Sequence, residues 1–473
     1  MKSTRMLTLF GAILIGACGG GGSGSQFAGI DGGGTPAPVA SAVAKGTITG
    51  FGSIIVNGVH YDIAGALISV DGSPGNESDL EVGQVVVVKG TLASDGATGT
   101  ANTVTFDDVV EGPVSEIDTV AGTITVLGQL VRTDGDTSFD DSIDPASLEG
   151  LTVGDIVEVS GFFLADGSIN ATRIELKPAG SEFEVTGLVS NVNATTFQIN
   201  DLVVDYSAAM LDDFPGGAPE DGQPVEAKGM ALGASGELLA TRIEFMGADL
   251  ADDGDHVEVE GFITRFGSIT DFDVDGVTVT TNGSTEYENG TSADLALNQK
   301  VEVEGEFNAS GVLVADKVEF KLAGFIRIES LVEEVQANQL TLLGIVVRVE
   351  AATRIEDKSD ADVRPFSLSD VSVGNYVEVR GYSDASGIIA TRLEREDFDG
   401  EVALRGFVES VNDPDFAILG VTVQTVGGTT FEDENNVEIT PAAFFGQAQG
   451  SLVEAAGTLS NGSIIADEVE LEN

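Results

Sequence analysis

After a short N-terminal stretch, apolar and polar residues alternate in runs of four to eight, and turn residues punctuate the runs. Gly187-Leu188-Val189-Ser190-Asn191-Val192 opens one such unit, and Gly406-Phe407-Val408-Glu409-Ser410-Val411 opens another. Hairpin signals follow at Ile54-Ile55-Val56-Asn57-Gly58-Val59 and Phe272-Asp273-Val274-Asp275-Gly276-Val277. Asn-Gly and Asp-Gly there tolerate the positive φ of tight turns. A short polar segment comes next, as at Ser147 to Leu151, where Ser147 could cap one helical turn. Two further strands close the unit. Period two dominates throughout, so the chain reads as all-β.

The units repeat. Five carry Val-Glu-Val-x-Gly or a near relative, ending at Gly161, Gly229, Gly305, Gly381 and Gly457; the first copy ends its run of valines at Lys89-Gly90. These glycines lie 71, 68, 76, 76 and 76 residues apart. A second landmark follows in five copies, as in Ala171-Thr172-Arg173-Ile174-Glu175 and Ala390-Thr391-Arg392-Leu393-Glu394. Turns at Asp166-Gly167 and Ser310-Gly311 set Val159 opposite Ile174, Val303 opposite Val318 and Glu304 opposite Lys317. Three strands, a helical turn and two strands is the order of an OB-fold barrel; an SH3-like barrel or a small sandwich would give similar local signals. The expected fold is six tandem small OB-like β-barrels of five to six strands each. They occupy residues 46–108, 109–177, 183–246, 256–320, 326–396 and 402–473, called repeats 1 to 6. Short polar joints, such as Gly247 to Asp255 and Asp397 to Glu401, suggest beads with limited mutual contact.

The first eighteen residues carry a different message. Lys2 and Arg5 precede an apolar run from Met6 to Ile15, too short to span a bilayer and suited to a signal peptide. Ile15-Gly16-Ala17-Cys18 resembles a bacterial lipobox, which implies lipidation of Cys18 and a membrane partner through that anchor. Gly19 rather than aspartate resembles the Gram-negative pattern for outer-membrane sorting, facing the periplasm or the cell surface. Residues 19–45, rich in Gly, Ser and Pro, form a tether with a reach of about 28 Å. Cys18 is the only cysteine, so no disulfide staples the remainder.

Seventy-eight acidic against 22 basic residues give a net charge of −56, which repels phosphate backbones and argues against nucleic acid as a partner. A hydrophobic share of 42% argues against disorder. The repeated pattern Gly-x-Val, Phe-x-Val-x-Gly-Val-x-Val, Leu-x-Val-Gly-x-x-Val-Glu-Val-x-Gly and Ala-Thr-Arg-Ile-Glu resembles the domain-of-unknown-function 5666 family. The resemblance implies a β-rich exported repeat protein and supplies no catalytic residues.

Candidate chemistry is sparse. Asp271, Asp273 and Asp275, followed by Gly276, have the opening of a calcium loop. Its twelfth position is Asn282 rather than a bidentate glutamate, and the repeat alignment puts Asp275-Gly276 on an ordinary hairpin turn. No cofactor is expected, and calcium at these residues is the one alternative. Acidic clusters at Asp134 to Asp136, Asp140-Asp141, Asp252 to Asp255 and Asp397 to Glu401 fall in loops or joints. Glu158, Glu226, Glu302, Glu378 and Glu454 each stand between apolar strand residues, so they should point out of the core. His60 and His256 are isolated in different copies. Without a nucleophile elbow, phosphate loop or dinucleotide fingerprint, no enzyme is expected. The leading expectation is a structural or adhesive envelope lipoprotein, a chain of domains extending from the membrane. The alternative is a module binding oligosaccharide, peptide or calcium on barrel faces or acidic joints; the lack of Trp disfavours sugars.

Overall fold

In a computed structural model, described for residues 40–472 apart from 248–249, 323, 385–386 and 435–436, the alternation resolves into closed five-stranded barrels. The expected signal peptide, Cys18 and residues 19–39 of the expected tether lie outside the described residues, and residues 40–45, expected as tether, instead begin the first strand, Ala40–Gly50, because they pair with strands of repeats 1 and 4. Repeat 2 illustrates the barrel. Val110–Asp118 pairs with Thr123–Val126, which pairs with Gln129–Arg132. The third strand lies parallel to Ile169–Lys177, which returns antiparallel to Ile156–Phe163, and that strand closes on the first. Strand order 1-2-3-5-4-1 recurs in all six copies, and between strands three and four repeats 1, 2 and 5 carry a 3-10 turn, as at Leu148–Gly150, and repeat 6 a helix at Pro441–Phe445. This is the OB-like barrel.

Local sequence accounts for the closure. Asn57 and Gly58 take φ of 53° and 78°, and Asp275 and Gly276 take 44° and 81°, so these turns match the twist of their strands. The glycine ending each Val-Glu-Val-x-Gly strand sits at a break in register with the fifth strand, at Gly90, Gly161, Gly229, Gly305, Gly381 and Gly457. A Cβ at Gly305 would lie 2.1 Å from the Val314 carbonyl oxygen, so only glycine fits the bulge that bends the barrel. Val159 faces Ile174, Val303 faces Val318 and Glu304 faces Lys317, as the turns require.

The repeats are not beads with limited contact. The first half of a barrel's opening strand exposes an edge, and each barrel covers it with the same strand of another. Repeats 2 and 3 join antiparallel through Glu111 and Val110 against Glu184 and Val185. Repeats 5 and 6 join through Arg327 to Glu329 against Arg405 to Ala403. Repeats 1 and 4, distant in sequence, join in parallel through Ala42 to Lys45 against His256 to Val259. One hydrophobic core runs through repeats 2 and 3, and another through 5 and 6. The described residues form a single unit. Polar joints failed as a guide because they report only how the chain passes between copies, not which strand edges meet.

Candidate functional site: a charged interior shared by the repeats

Alternation places Glu158, Glu226, Glu302 and Glu378 outside their own barrels, yet all four are buried. The expectation that they point out of the core holds for each barrel and fails for the whole, because other barrels cover that face. Glu454 is half-buried and reaches Arg327 of repeat 5 at 2.5 Å. Twelve carboxylates but only four cationic side chains are buried among the described residues, so the interior is acidic as well as polar.

The strand register builds these carboxylates into rows. Glu175, Glu158 and Glu111 stand side by side across repeat 2, and Glu184 of repeat 3 extends the row to Lys228. Glu319, Glu302 and Glu260 do the same in repeat 4, and Glu394, Glu378 and Glu329 in repeat 5. Like charges directly opposite on neighbouring strands repel, so each row needs a counter-charge or a proton.

Arginines of the second landmark supply much of it. Arg173 is 1% exposed. Its Nε meets Glu175 Oε1 at 2.5 Å, Nη1 lies 3.6 Å from Glu356 Oε1, and Nη2 lies 3.7 and 3.9 Å from Asp140 Oδ2 and Glu81 Oε2. It also donates to the Val82 carbonyl at 3.1 Å. One guanidinium thus joins repeats 1, 2 and 5. Arg392 donates to the carbonyls of Gly135 and Thr137 at 3.3 and 3.0 Å, and Arg354 donates to those of Asp136 and Thr172. Lys228 of repeat 3 holds Glu184 at 2.5 Å and reaches the Asp71 carbonyl of repeat 1 at 3.4 Å. A cleft lined by Arg327, Glu378, Arg380, Arg392, Glu394 and Asp397 opens from this interior.

Burial moves the acids in opposite directions according to their partners. It pushes Glu158 up to about 8, Lys177 only partly offsetting it, and pushes Glu184 and Glu302 up to about 7. For Glu260 burial acts the same way, but Lys300 at 2.8 Å and the Thr47 amide at 2.9 Å outweigh it and hold the carboxyl at about 2.

The aspartates chosen from sequence lie elsewhere. Asp271 and Asp273 both grip Arg265, at 2.8 and 2.7 Å. Asp275 turns away to Lys45 of repeat 1 at 2.6 Å and accepts from the Phe163 amide of repeat 2 at 3.2 Å. The three are therefore not gathered around one point. In the joints, Asp252 donates its amide to Asp255, and Asp397 accepts from the Asp360 amide. His60 contacts Ser53 Oγ, while His256 lies 3.4 and 3.6 Å from Glu258 and Glu304. Sequence reasoning passed over Asp108, buried where repeat 1 enters repeat 2. No motif marks it, although extending the Val159–Ile174 register to the opening strand would have set Glu158 beside Glu111.

Among curated proteins no sequence matches this chain significantly. Among solved structures, Drosophila Unr CSD456 is similar over 46% of this chain and 98% of its own, with 17% identity and a TM-score of 0.12, too low a score to carry an argument. The profile described as Domain of unknown function (DUF5666) matches residues 45–105, 111–175, 186–244, 260–319, 329–394 and 405–470, one match to each barrel. With six matched copies running from 45 to 470, the chain belongs to the DUF5666 family.

Proposed function

We propose that this protein is a non-catalytic structural lipoprotein of the bacterial envelope, an anchored block of six barrels held off the membrane by the Gly/Ser/Pro tether between residue 19 and the first strand, Ala40–Gly50. The observation that supports a structural role is the Arg173 cluster. There one guanidinium and four carboxylates converge, turned inward and engaged in holding repeats 1, 2 and 5 together. A guanidinium buried to 1% exposure beside four carboxylates has no open side for a substrate. The recurring glutamates act in the same way, as partners for neighbouring repeats. The reach of such a protein comes from its tether of about 25 Å and the dimensions of one block, not from a string of beads. The lipobox Ile15 to Cys18 supports the anchor, and Gly19 supports the outer membrane.

Replacement of Cys18 by Ser removes the thiol that lipidation requires. The variant is expected to move from the membrane fraction to the soluble fraction of lysed cells, and to leave the detergent phase on partitioning. Unchanged partitioning would refute the anchor.

A further inference from the structure

The carboxylate rows differ in what balances them. In repeat 4, Lys300 holds Glu260 at 2.8 Å, and Lys321 holds Glu302 and Glu319 at 2.9 and 3.0 Å. In repeat 5, Arg327 and Arg380 hold Glu378 at 2.8 and 2.5 Å, and Arg392 holds Glu394. Each of those rows has a cation at its centre. The row of repeat 2 has Arg173 on Glu175, Lys177 on Glu158 at 2.5 Å and Lys228 on Glu184, but leaves Glu111, the counterpart of Glu260, without a cation. Glu111, in the middle, pairs with no cation among the described residues, and its Oε1 accepts no hydrogen bond.

Asp108 points into this same gap. It is 3% exposed, and neither carboxylate oxygen has a hydrogen-bond partner among the described residues. Its amide donates to Asp71 Oδ1 at 3.3 Å, which draws a further carboxylate in from repeat 1. Oxygens of Asp108, Glu111 and Glu158 lie within 4.8 Å of one another, as do those of Asp71, Asp108 and Glu184. Two oxygens bound to one calcium at about 2.4 Å are at most about 4.8 Å apart, so each group fits inside one coordination sphere. Five carboxylates face two ammonium groups here. Burial, then Glu158, Glu184, Asp71 and Glu111 in turn, push the Asp108 carboxyl far above its ordinary range. A buried charge so placed must gain a proton or a counter-ion.

We propose that Asp108, Glu111 and Glu158, flanked by Asp71 and Glu184, bind a hard divalent cation of the calcium class at the junction of repeats 1, 2 and 3. The donors are all carboxylate oxygens, without nitrogen or sulfur, which suits calcium over zinc or copper. Asp108 is the shared ligand, with both oxygens free to coordinate. Bound there, the ion ties the opening strand of repeat 2 to the end of repeat 1 and the start of repeat 3. The inference does not depend on the envelope assignment; it would hold for the same block in any compartment containing calcium.

The test uses the purified full-length mature protein, stripped with a chelator and then dialysed. Calorimetry with calcium chloride is expected to show one tight equivalent per chain that magnesium chloride does not reproduce. The melting temperature is expected to rise with calcium beyond the effect of potassium chloride at equal ionic strength, since the ion binds the folded state alone. Asp108→Asn is expected to weaken binding on the order of a hundredfold, through loss of a charged ligand. The same variant should melt at or above the wild-type temperature in chelator, because it removes a buried unpaired charge, and this separates lost binding from lost folding. Glu111→Gln provides a second variant with the same expected loss. Absence of stoichiometric calcium binding, magnesium binding equally well, or wild-type affinity in both variants would overturn the proposal and leave a proton as the neutraliser of Asp108.

Discussion

Replacing Arg173 with Met is expected to cost about 3–5 kcal/mol in the first unfolding transition, while the same change at Arg242 costs at most about 1 kcal/mol. Both arginines occupy the third position of Ala-Thr-Arg-Ile-Glu, in repeats 2 and 3. Sequence makes them equivalent, and packing separates them. Arg242 is 44% exposed and pairs with Asp212 and Glu244 in solvent, where screening and side-chain entropy leave little net gain. Arg173 is enclosed among Glu81, Asp140, Glu175 and Glu356. Methionine would fill part of its volume but leave those carboxylates without their shared cation, with only Arg364 on Glu81, Lys358 on Glu356 and Lys177 near Glu175 remaining at the edges. Urea denaturation of the two variants against wild type measures the contrast. Equal losses would mean that the interior between repeats 1, 2 and 5 is wetter than its burial indicates.

Stability is expected to peak near pH 5 and to fall by at least about 3 kcal/mol by pH 8, the shift of a single group moved two to three pH units. Burial raises Glu158 and Glu329 to about 8, and Glu184, Glu302 and Glu396 to about 7. A carboxyl raised on folding binds its proton more tightly in the native state, so its contribution is full below the unfolded value near 4.5 and is lost as pH rises through 7 to 8. Glu260 and Asp357 behave oppositely. Burial opposes ionisation in both, yet Lys300 holds the first at about 2, and Arg395, with Ser359 and the Val363 amide, holds the second there. Their stabilisation is present above the unfolded value and disappears as pH falls from about 4 toward 2. Denaturant midpoints from pH 3 to 9, taken in chelator so that no divalent ion replaces a proton, trace the curve. Glu302→Gln should flatten its alkaline limb. Constant stability between pH 5 and 8 would contradict the burial of these rows.

What the chain discloses in sequence is local. Asn57-Gly58 and Asp275-Gly276 make their turns, six glycines make their bulges, and Val159 meets Ile174, because neighbours along a strand or hairpin decide each of these. Alternation also turns Glu158 and Glu378 away from their own barrel cores. It carries no information about what covers the opposite face, so two residues that resemble solvent-facing glutamates are buried. Strand edges are the second gap. Nothing in Ala42 to Lys45 or in His256 to Val259 marks them as parallel neighbours across more than two hundred residues. Candidate sites followed the same division. Asp271, Asp273 and Asp275 attract notice through spacing, yet an arginine and a lysine occupy them. Asp108 and Glu111 enter on one segment and Glu158 on another, and the two meet only through barrel closure.

Six barrels share strand edges and a charged interior in one block. Small-angle X-ray scattering of residues 38–473 in moderate salt tests it most directly. A block of this length, packed as a compact body, has a radius of gyration of about 22–25 Å, whereas six barrels strung out on flexible joints would give about 40 Å. A value near the first, independent of salt between 0.1 and 0.5 M, is the result expected. A value near the second, or one that contracts as salt screens the acidic surface, would show independent beads and contradict the account.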